Sequence, residues 1–147
     1  MYSVADLMRR EVATVRATDS LSAAEALWQE RDHRHLPVME GGRVVGLVTP
    51  LDALSLTARR DPSRPCTVRD AMSSPVLQVR PSLPLRHAAE MMLKHQIGCV
   101  VVTSSSGELV GLLTEEDLVR FTVDLVTDLD RLFDGLRRAE QDVAASA

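Results

Sequence analysis

The sequence predicts a mixed α/β (α+β) fold: two tandem β-α-β-β-α units related by a pseudo-two-fold, followed by a C-terminal helix. Three observations carry this. The first is an internal repeat. Val4-Ala5-Asp6-Leu7-Met8 returns sixty-four residues later as Val68-Arg69-Asp70-Ala71-Met72, and the same offset pairs Val12 with Val76, Leu21 with Leu85 and Val38 with Val102. One extra loop residue then moves the offset to sixty-five. Val45-Gly46-Leu47-Val48-Thr49-x-x-Asp52 is echoed by Val110-Gly111-Leu112-Leu113-Thr114-x-x-Asp117. The second is a hydrophobic period that switches between strand-like and helical within each copy. The third is a C-terminal stretch with no counterpart in the first copy. Two copies of one unit of roughly fifty residues mean one pseudo-symmetric module, in which any ligand cleft is expected twice.

Within each copy the elements follow in order. Val12 and Val15 mark a short first strand, as do Val76, Leu77 and Val79. Turns are expected at 17–20 and 81–84, with Thr18 and Ser82 as helix N-caps and Pro84 inside a first turn. Leu21, Ala24, Leu27 and Trp28, matched by Leu85, Ala88, Met91 and Met92, form one buried helical face. Inner strands follow at 36–39 and 99–102. Hairpin turns at Gly41-Gly42 and 104–107 lead to return strands at 43–48 and 108–113. Second helices start at Pro50 and Glu115. The units are expected at 1–60 and 68–122, joined by a stiff polar linker at 61–67 that contains Asp61-Pro62-Ser63-Arg64-Pro65.

The tail, residues 123–147, carries Leu125, Leu129, Leu132, Leu136, Ala139 and Val143 at alternating spacings of four and three. This is a heptad stripe. Two arrangements fit it: a helix folded back on its own module, or one paired with another copy of itself.

Composition excludes several classes of function. The chain is 147 residues long and 45% apolar, enough for one compact core or two small halves sharing one. Its aromatic residues are Tyr2, Trp28, Phe121 and Phe133, so stacking platforms for single-stranded nucleic acid are missing. A net charge of −4 and a pI near 5.5 argue against a nucleic-acid partner. No apolar run approaches the roughly 20 residues of a membrane span. The N-terminus lacks the order of a signal peptide, so a cytoplasmic protein is expected. Cys66 and Cys99 lack metal-ligand spacing and read as reduced thiols. His33 and His35 have no evident third ligand, and no metal site is expected. No nucleophile motif, phosphate loop or dinucleotide fingerprint is present, so no catalytic residues are expected.

The sharpest local signal is the doubled Gly-Leu-(Val/Leu)-Thr strand end with an acid three residues after the Thr: Thr49 and Asp52, Thr114 and Asp117. A capping box explains it structurally, with Pro50 suited to the first helical position. A binding role can be added to the cap. A carboxylate at a helix start can accept hydrogen bonds from vicinal ribose hydroxyls, and free backbone N–H groups nearby can hold phosphate.

With these features the chain resembles a cystathionine-β-synthase (CBS) domain pair over roughly residues 3–122. The matching residues are the two Asp-x-Met segments, Leu36-Pro37-Val38 and the two Gly-h-h-Thr-x-x-Asp signatures. The resemblance implies two clefts between the halves, each taking an adenosyl ligand: AMP, ADP, ATP or S-adenosylmethionine. It implies that Thr49 and Asp52 hold the ribose and phosphate region of one site, with Thr14, Leu36 and Pro37 bordering its base. In the other, Thr114 and Asp117 take that role, with Gln78, Ile97, Gly98 and Val100 lining the base pocket. Val101 stands where the first copy has Pro37. It also implies a regulatory rather than enzymatic role, signalling to an unknown protein target, and a homodimer.

Charge differentiates the clefts. Arg31, His33, Arg34 and His35 form a basic cluster that either faces phosphates or is a solvated helix end, and His95 is the counterpart of Arg31. Glu115 and Glu116 disfavour a polyphosphate at the second site. The first is expected to be the better phosphate binder, and the second to prefer adenosine or a cationic ligand such as S-adenosylmethionine. The rival reading is a dimerisation module with vestigial clefts that acts through its C-terminal helix.

Overall fold

The architecture was obtained as a computed structural model, which describes residues 1–30 and 33–147. Each copy contributes a three-stranded sheet flanked by helices. The first contains α1 (Val4–Leu7), β1 (Val15–Arg16), α2 (Leu21–Trp28), β2 (Leu36–Glu40), β3 (Arg43–Val48) and α3 (Pro50–Thr57). The second contains α4 (Val68–Ala71), β4 (Gln78–Val79), α5 (Leu85–His95), β5 (Cys99–Thr103), β6 (Leu109–Thr114) and α6 (Glu115–Ala145). In each sheet the short first strand runs parallel to the inner strand, which pairs antiparallel with the return strand.

Two starts differ from the sequence expectation. The N-caps are Ser20 and Pro84, each two residues beyond Thr18 and Ser82. The preceding turns hold those residues out of the helix. Asp19 N donates to Arg16 O at 3.1 Å while the Asp19 carboxylate accepts from Arg16 N at 2.8 Å, and Leu83 N repeats the turn onto Arg80 O. The Gly41-Gly42 hairpin has both residues at positive φ, +58° and +74°, which residues with a side chain rarely adopt.

The segments carrying Asp6 and Asp70 are single helical turns, and they pack on the opposite half. Val4 N and Ala5 N donate to Leu83 O and Pro81 O, and Val4 and Met8 complete the core around Val79, Leu85, Ala88, Val100 and Leu113. Symmetrically, Val68 N and Arg69 N donate to Asp19 O and Ala17 O, and Val68 joins Val15, Ala24, Leu36, Val38 and Val48. The sequence repeat and the packed half are therefore different sets of residues. A third cluster, Val44, Cys99, Val101 and Leu112 with Met39 and Leu47 against it, cements sheet to sheet. Strand β5 is consequently buried on both faces.

The chain leaving each exchanged turn makes a two-way backbone bridge to the return strand of the half it has joined. Arg9 and Leu112 exchange N–H···O bonds of 2.8 and 3.0 Å, and Leu47 and Ser73 exchange bonds of 3.0 and 2.8 Å. The repeated glycines permit this approach. A Cβ on Gly111 would lie 2.8 Å from both Arg9 O and Met8 Sδ; one on Gly46 would meet Met72 Sδ at 2.5 Å and Ser73 O at 3.1 Å.

The tail is no separate element. Helix α6 runs unbroken from the second signature, and residues 122–147 are all exposed, so it does not fold back on the module. Leu118 and Phe121 still pack on the second core, and Tyr2 meets Phe121 edge-on at 4.8 Å.

The two glycines should differ in substitution. Gly111→Ala forces backbone apart and should cost about 1–3 kcal/mol. Gly46→Ala should cost less, because its closest neighbour is the end of a flexible methionine. Urea unfolding of the two variants checks this; equal losses would remove the argument from the backbone contact.

Candidate functional site

Each Thr-x-x-Asp signature caps the helix after a return strand. Thr49 Oγ1 accepts from Asp52 N at 3.3 Å, while Asp52 Oδ2 accepts from Thr49 N at 2.9 Å and from the Thr49 hydroxyl at 3.0 Å. Thr114 and Asp117 repeat this at 3.3, 2.9 and 2.8 Å. The capping box is thus real at both positions. It uses one oxygen of each carboxylate. The other oxygen, Oδ1, turns toward the strand-exchange bridge, where the copies diverge. Asp52 Oδ1 faces the Ser73 hydroxyl at 3.4 Å, whereas Asp117 Oδ1 accepts from Arg9 Nε at 2.8 Å. Arg9 and Ser73 are repeat equivalents.

The larger cavity, about 630 Å³, opens at the Arg9 bridge. That volume falls in the usual range of small-molecule pockets. Its walls come from both copies: Arg9 and Glu11 to Ala13 of the chain before β1, the end of α2 at Trp28 to Glu30, the 33–35 segment, and Leu112, Thr114, Glu115 and Glu116. The indole N–H of Trp28, buried at this wall, has no hydrogen-bond partner. Among the described residues, Glu11, Glu30, Glu115 and Glu116 outnumber Arg9 and Arg34 around it, and Arg9 also lies 3.9 Å from Glu116. A second cavity, about 230 Å³, lies apart at the Gly41-Gly42 turn.

The predicted site residues distribute unevenly. Thr114 lines the large cavity, and Asp117 sits behind it on Arg9. Gly98 lies beneath the Glu115 carboxylate: a Cβ there would be 2.9 Å from Glu115 Oε1 and 3.6 Å from His35 Nε2. Leu36, Pro37 and Val100 are fully buried and, as packed here, present no surface to a ligand, because strands β2 and β5 are interior. Thr14 and Gln78 are exposed at the starts of β1 and β4. Thr14 directly follows Ala13, which lines the large cavity. Ile97 packs against the second core. Arg31 lies outside the described residues, but His33, Arg34 and His35 of its cluster face the Thr114 cleft.

Arg9, Glu11 and Trp28 were not legible as site residues. The one available signal was Arg9's position directly after the first Asp-x-Met segment, where the second copy has Ser73.

His35 lines the large cavity beside Glu115. Burial pushes its pKa below the ordinary histidine value; Glu115 and Asp52 oppose this, while Arg9 and Arg34 reinforce it. Its repeat equivalent, Cys99, is driven up to about 12 by burial and then by Asp117, so the thiol stays protonated. Among the described residues, no group of three or more His, Cys, Asp or Glu is arranged to hold a metal, and no helix is long and apolar enough to cross a membrane.

This doubled unit, with its halves exchanging their leading turns around two capped aspartates, matches the CBS domain family model at residues 4–59 and 68–124. The chain belongs to the CBS-domain family. It is 34% identical to a homoserine O-acetyltransferase of Methanococcoides burtonii over 120 residues, covering 80% of this chain and 24% of that protein. It is 33% identical over 120 residues to the CBS domain-containing protein YhcV of Bacillus subtilis, covering 80% and 84%. It spans under a quarter of the length of the first curated relatives it matches. Among solved structures, CBSX2 in complex with AMP superposes with a TM-score of 0.75 at 28% identity, covering 85% of this chain and 98% of that one. The CBS domain pair of protein MJ0100, in complex with 5′-methylthioadenosine and S-adenosyl-L-methionine, gives 0.74 at 26%, covering 84% and 98%.

The lowered His35 pKa sets a pH dependence. The unfolded chain takes up a proton near pH 6.5 while the folded one resists it. The stability held by neutral His35 is therefore fully present above pH 6.5 and declines as pH falls below it. His35→Gln should flatten the decline in thermal midpoint from pH 6.5 downward. A slope identical to that of the parent protein would place the effect elsewhere.

Proposed function

We propose that this protein is a non-catalytic regulatory module that binds an adenosyl ligand between its halves and passes the change to a protein partner as a homodimer. The supporting observation is the divided use of each signature carboxylate. Oδ2 is spent on the helix cap, while Oδ1 faces the junction, with acceptor capacity for the vicinal hydroxyls of a ribose. An Oδ1 that already accepts from Arg9 keeps further lone-pair capacity, so both aspartates remain competent. AMP in CBSX2 and 5′-methylthioadenosine with S-adenosyl-L-methionine in MJ0100 support an adenosyl ligand class.

Signalling follows from where the ligand would sit. Both aspartates adjoin the Arg9–Leu112 and Leu47–Ser73 bridges, which join each exchanged segment to the sheet it covers. A ligand touching both sides biases the arrangement of the halves by no more than its differential affinity for the two arrangements. The acidic wall of the Thr114 cleft disfavours triphosphate and favours a neutral or cationic adenosyl compound, screened in part by solvent. The Thr49 cleft, with Pro50 and Leu51 in place of Glu115 and Glu116, is the better phosphate site. The exposed length of α6 supports a second reading, in which the clefts are idle and the helix carries the function.

Titration calorimetry with adenosine, AMP, ATP and S-adenosylmethionine, read alongside Trp28 fluorescence, separates the two readings. Asp52→Ala and Asp117→Ala should each weaken binding at their own cleft by about 1.5–3 kcal/mol. The apo protein should lose only about 1 kcal/mol of stability with the Asp52 cap, and more with Asp117→Ala, which also removes the Arg9 hydrogen bond, worth about 1.5–3 kcal/mol. Loss of stability with unchanged binding would leave the aspartates as caps alone.

Changing Glu115 and Glu116 together to Gln should raise ATP affinity at the Thr114 cleft more than adenosine affinity. Equal gains for both ligands would discard the electrostatic account of cleft preference.

A further inference from the structure

Asp52 and Asp117 are equivalent side chains with unequal company. Asp117 Oδ1 accepts from Arg9 Nε at 2.8 Å, and Nη2 of the same guanidinium lies 3.9 Å from Glu116. The Asp117 side chain is 10% exposed and that of Arg9 28%, so the pair is largely withdrawn from water and weakly screened by salt. At the other signature, Asp52 Oδ1 faces the uncharged Ser73 hydroxyl at 3.4 Å, and Leu51 stands in the place of Glu116. Arg9 lines the large cavity, whereas Asp117 lies behind it. A ligand in that cavity meets the guanidinium before it meets the carboxylate.

We propose that Arg9 is a specificity-determining residue, a built-in competitor for the ribose acceptor of the Thr114 cleft, and that the Thr49 cleft fills first as a result. The inference rests on the adenosyl reading and adds the order in which the clefts fill. A hydroxyl that donates to an unpaired carboxylate oxygen makes a charge-assisted hydrogen bond, about twice as strong as a neutral one. An oxygen already held by a guanidinium has much of its charge met. A ribose hydroxyl then shares it at the value of an ordinary hydrogen bond, or drives Arg9 off. The difference between those two grades of hydrogen bond is about tenfold in affinity.

Glu116 gives a displaced guanidinium an alternative partner. Its Oε2 is the atom 3.9 Å from Arg9 Nη2, while Oε1 accepts from Arg120 Nη2 at 2.7 Å. A ribose that takes Asp117 Oδ1 leaves Arg9 beside a carboxylate, so the cleft is weakened and not closed. Movement of Arg9 also acts on the joint between the halves, because its own N–H and C=O form the bridge to Leu112. Ser73 makes the matching bridge to Leu47 with no charged side chain to move. The clefts thus answer in sequence, and filling the second shifts a side chain of the exchanged segment.

The test is titration calorimetry on the full chain with adenosine and with 2′,3′-dideoxyadenosine, which lacks the vicinal hydroxyls. Both ligands are uncharged, so the acidic wall does not bias the comparison. In Asp52→Ala protein, which retains the Thr114 signature, adding Arg9→Ser should tighten adenosine about tenfold and leave dideoxyadenosine unchanged. A general loosening of the cleft would move both ligands alike, and that result would overturn the competition. In the otherwise unaltered chain, Ser73→Arg should weaken the tighter adenosine step about tenfold, again without moving dideoxyadenosine. This second variant adds a side chain to a working cleft, so it decides the question even where Arg9→Ser is too unstable to titrate. An unchanged tighter step would overturn the inference while leaving the adenosyl reading intact. Failure of adenosine, AMP and S-adenosylmethionine to bind the unaltered chain would remove that reading, and this inference with it.

Discussion

The structure depends on the exchange of two short helical turns between its halves. Neither three-stranded sheet covers its own helix-side core. Val4 and Met8 close the second half, and Val68 closes the first. Each half on its own falls near the lower size limit for a stable core. Taking the closing residues from the other repeat makes folding of one half contingent on the other. The backbone bridges at Arg9–Leu112 and Leu47–Ser73 are the hinges of that exchange, and Gly46 and Gly111 exist to admit them. A ligand seated beside these bridges touches the contacts that hold the halves together.

The signature aspartates show how one side chain serves structure and site together. A helix start leaves backbone N–H groups without partners. Thr and Asp satisfy two of them reciprocally at both signatures, and the Ser3–Asp6 and Thr67–Asp70 pairs do the same for α1 and α4. The capping box thus explains why acids recur in register. It does not exhaust the carboxylate, whose second oxygen is fixed in direction by the bonds of the first. A cap of this kind preorganises an acceptor at no additional entropic cost to a ligand.

Pseudo-symmetry breaks where charge matters. Arg9 against Ser73, Glu115 and Glu116 against Pro50 and Leu51, and His35 against Cys99 occupy equivalent places with different chemistry. The two signatures share a frame but present different electrostatic surfaces. Cys99 is buried and stays protonated, while half-buried His35 resists protonation at the cavity wall. The inner strands can therefore be sealed on both faces without an uncompensated charge.

Much of this was legible in the sequence. The repeat, the strand and helix order, the starts of α3 and α6 at Pro50 and Glu115, and the capping function of Thr49 and Thr114 follow from local pattern. Local propensity and side-chain periodicity determine them. The N-caps at Ser20 and Pro84 were misplaced by two residues because Asp19 and the Arg80–Leu83 turn hold the chain first. The exchange of α1 and α4, the grip of Arg9 on Asp117 across 108 residues, the burial of Leu36, Pro37 and Val100, and the placement of Trp28 at the cavity wall were decided only by tertiary structure. Periodicity says which face of a strand or helix is apolar. Which other segment covers that face depends on the packing of the whole chain, and the cavity is what that packing leaves open.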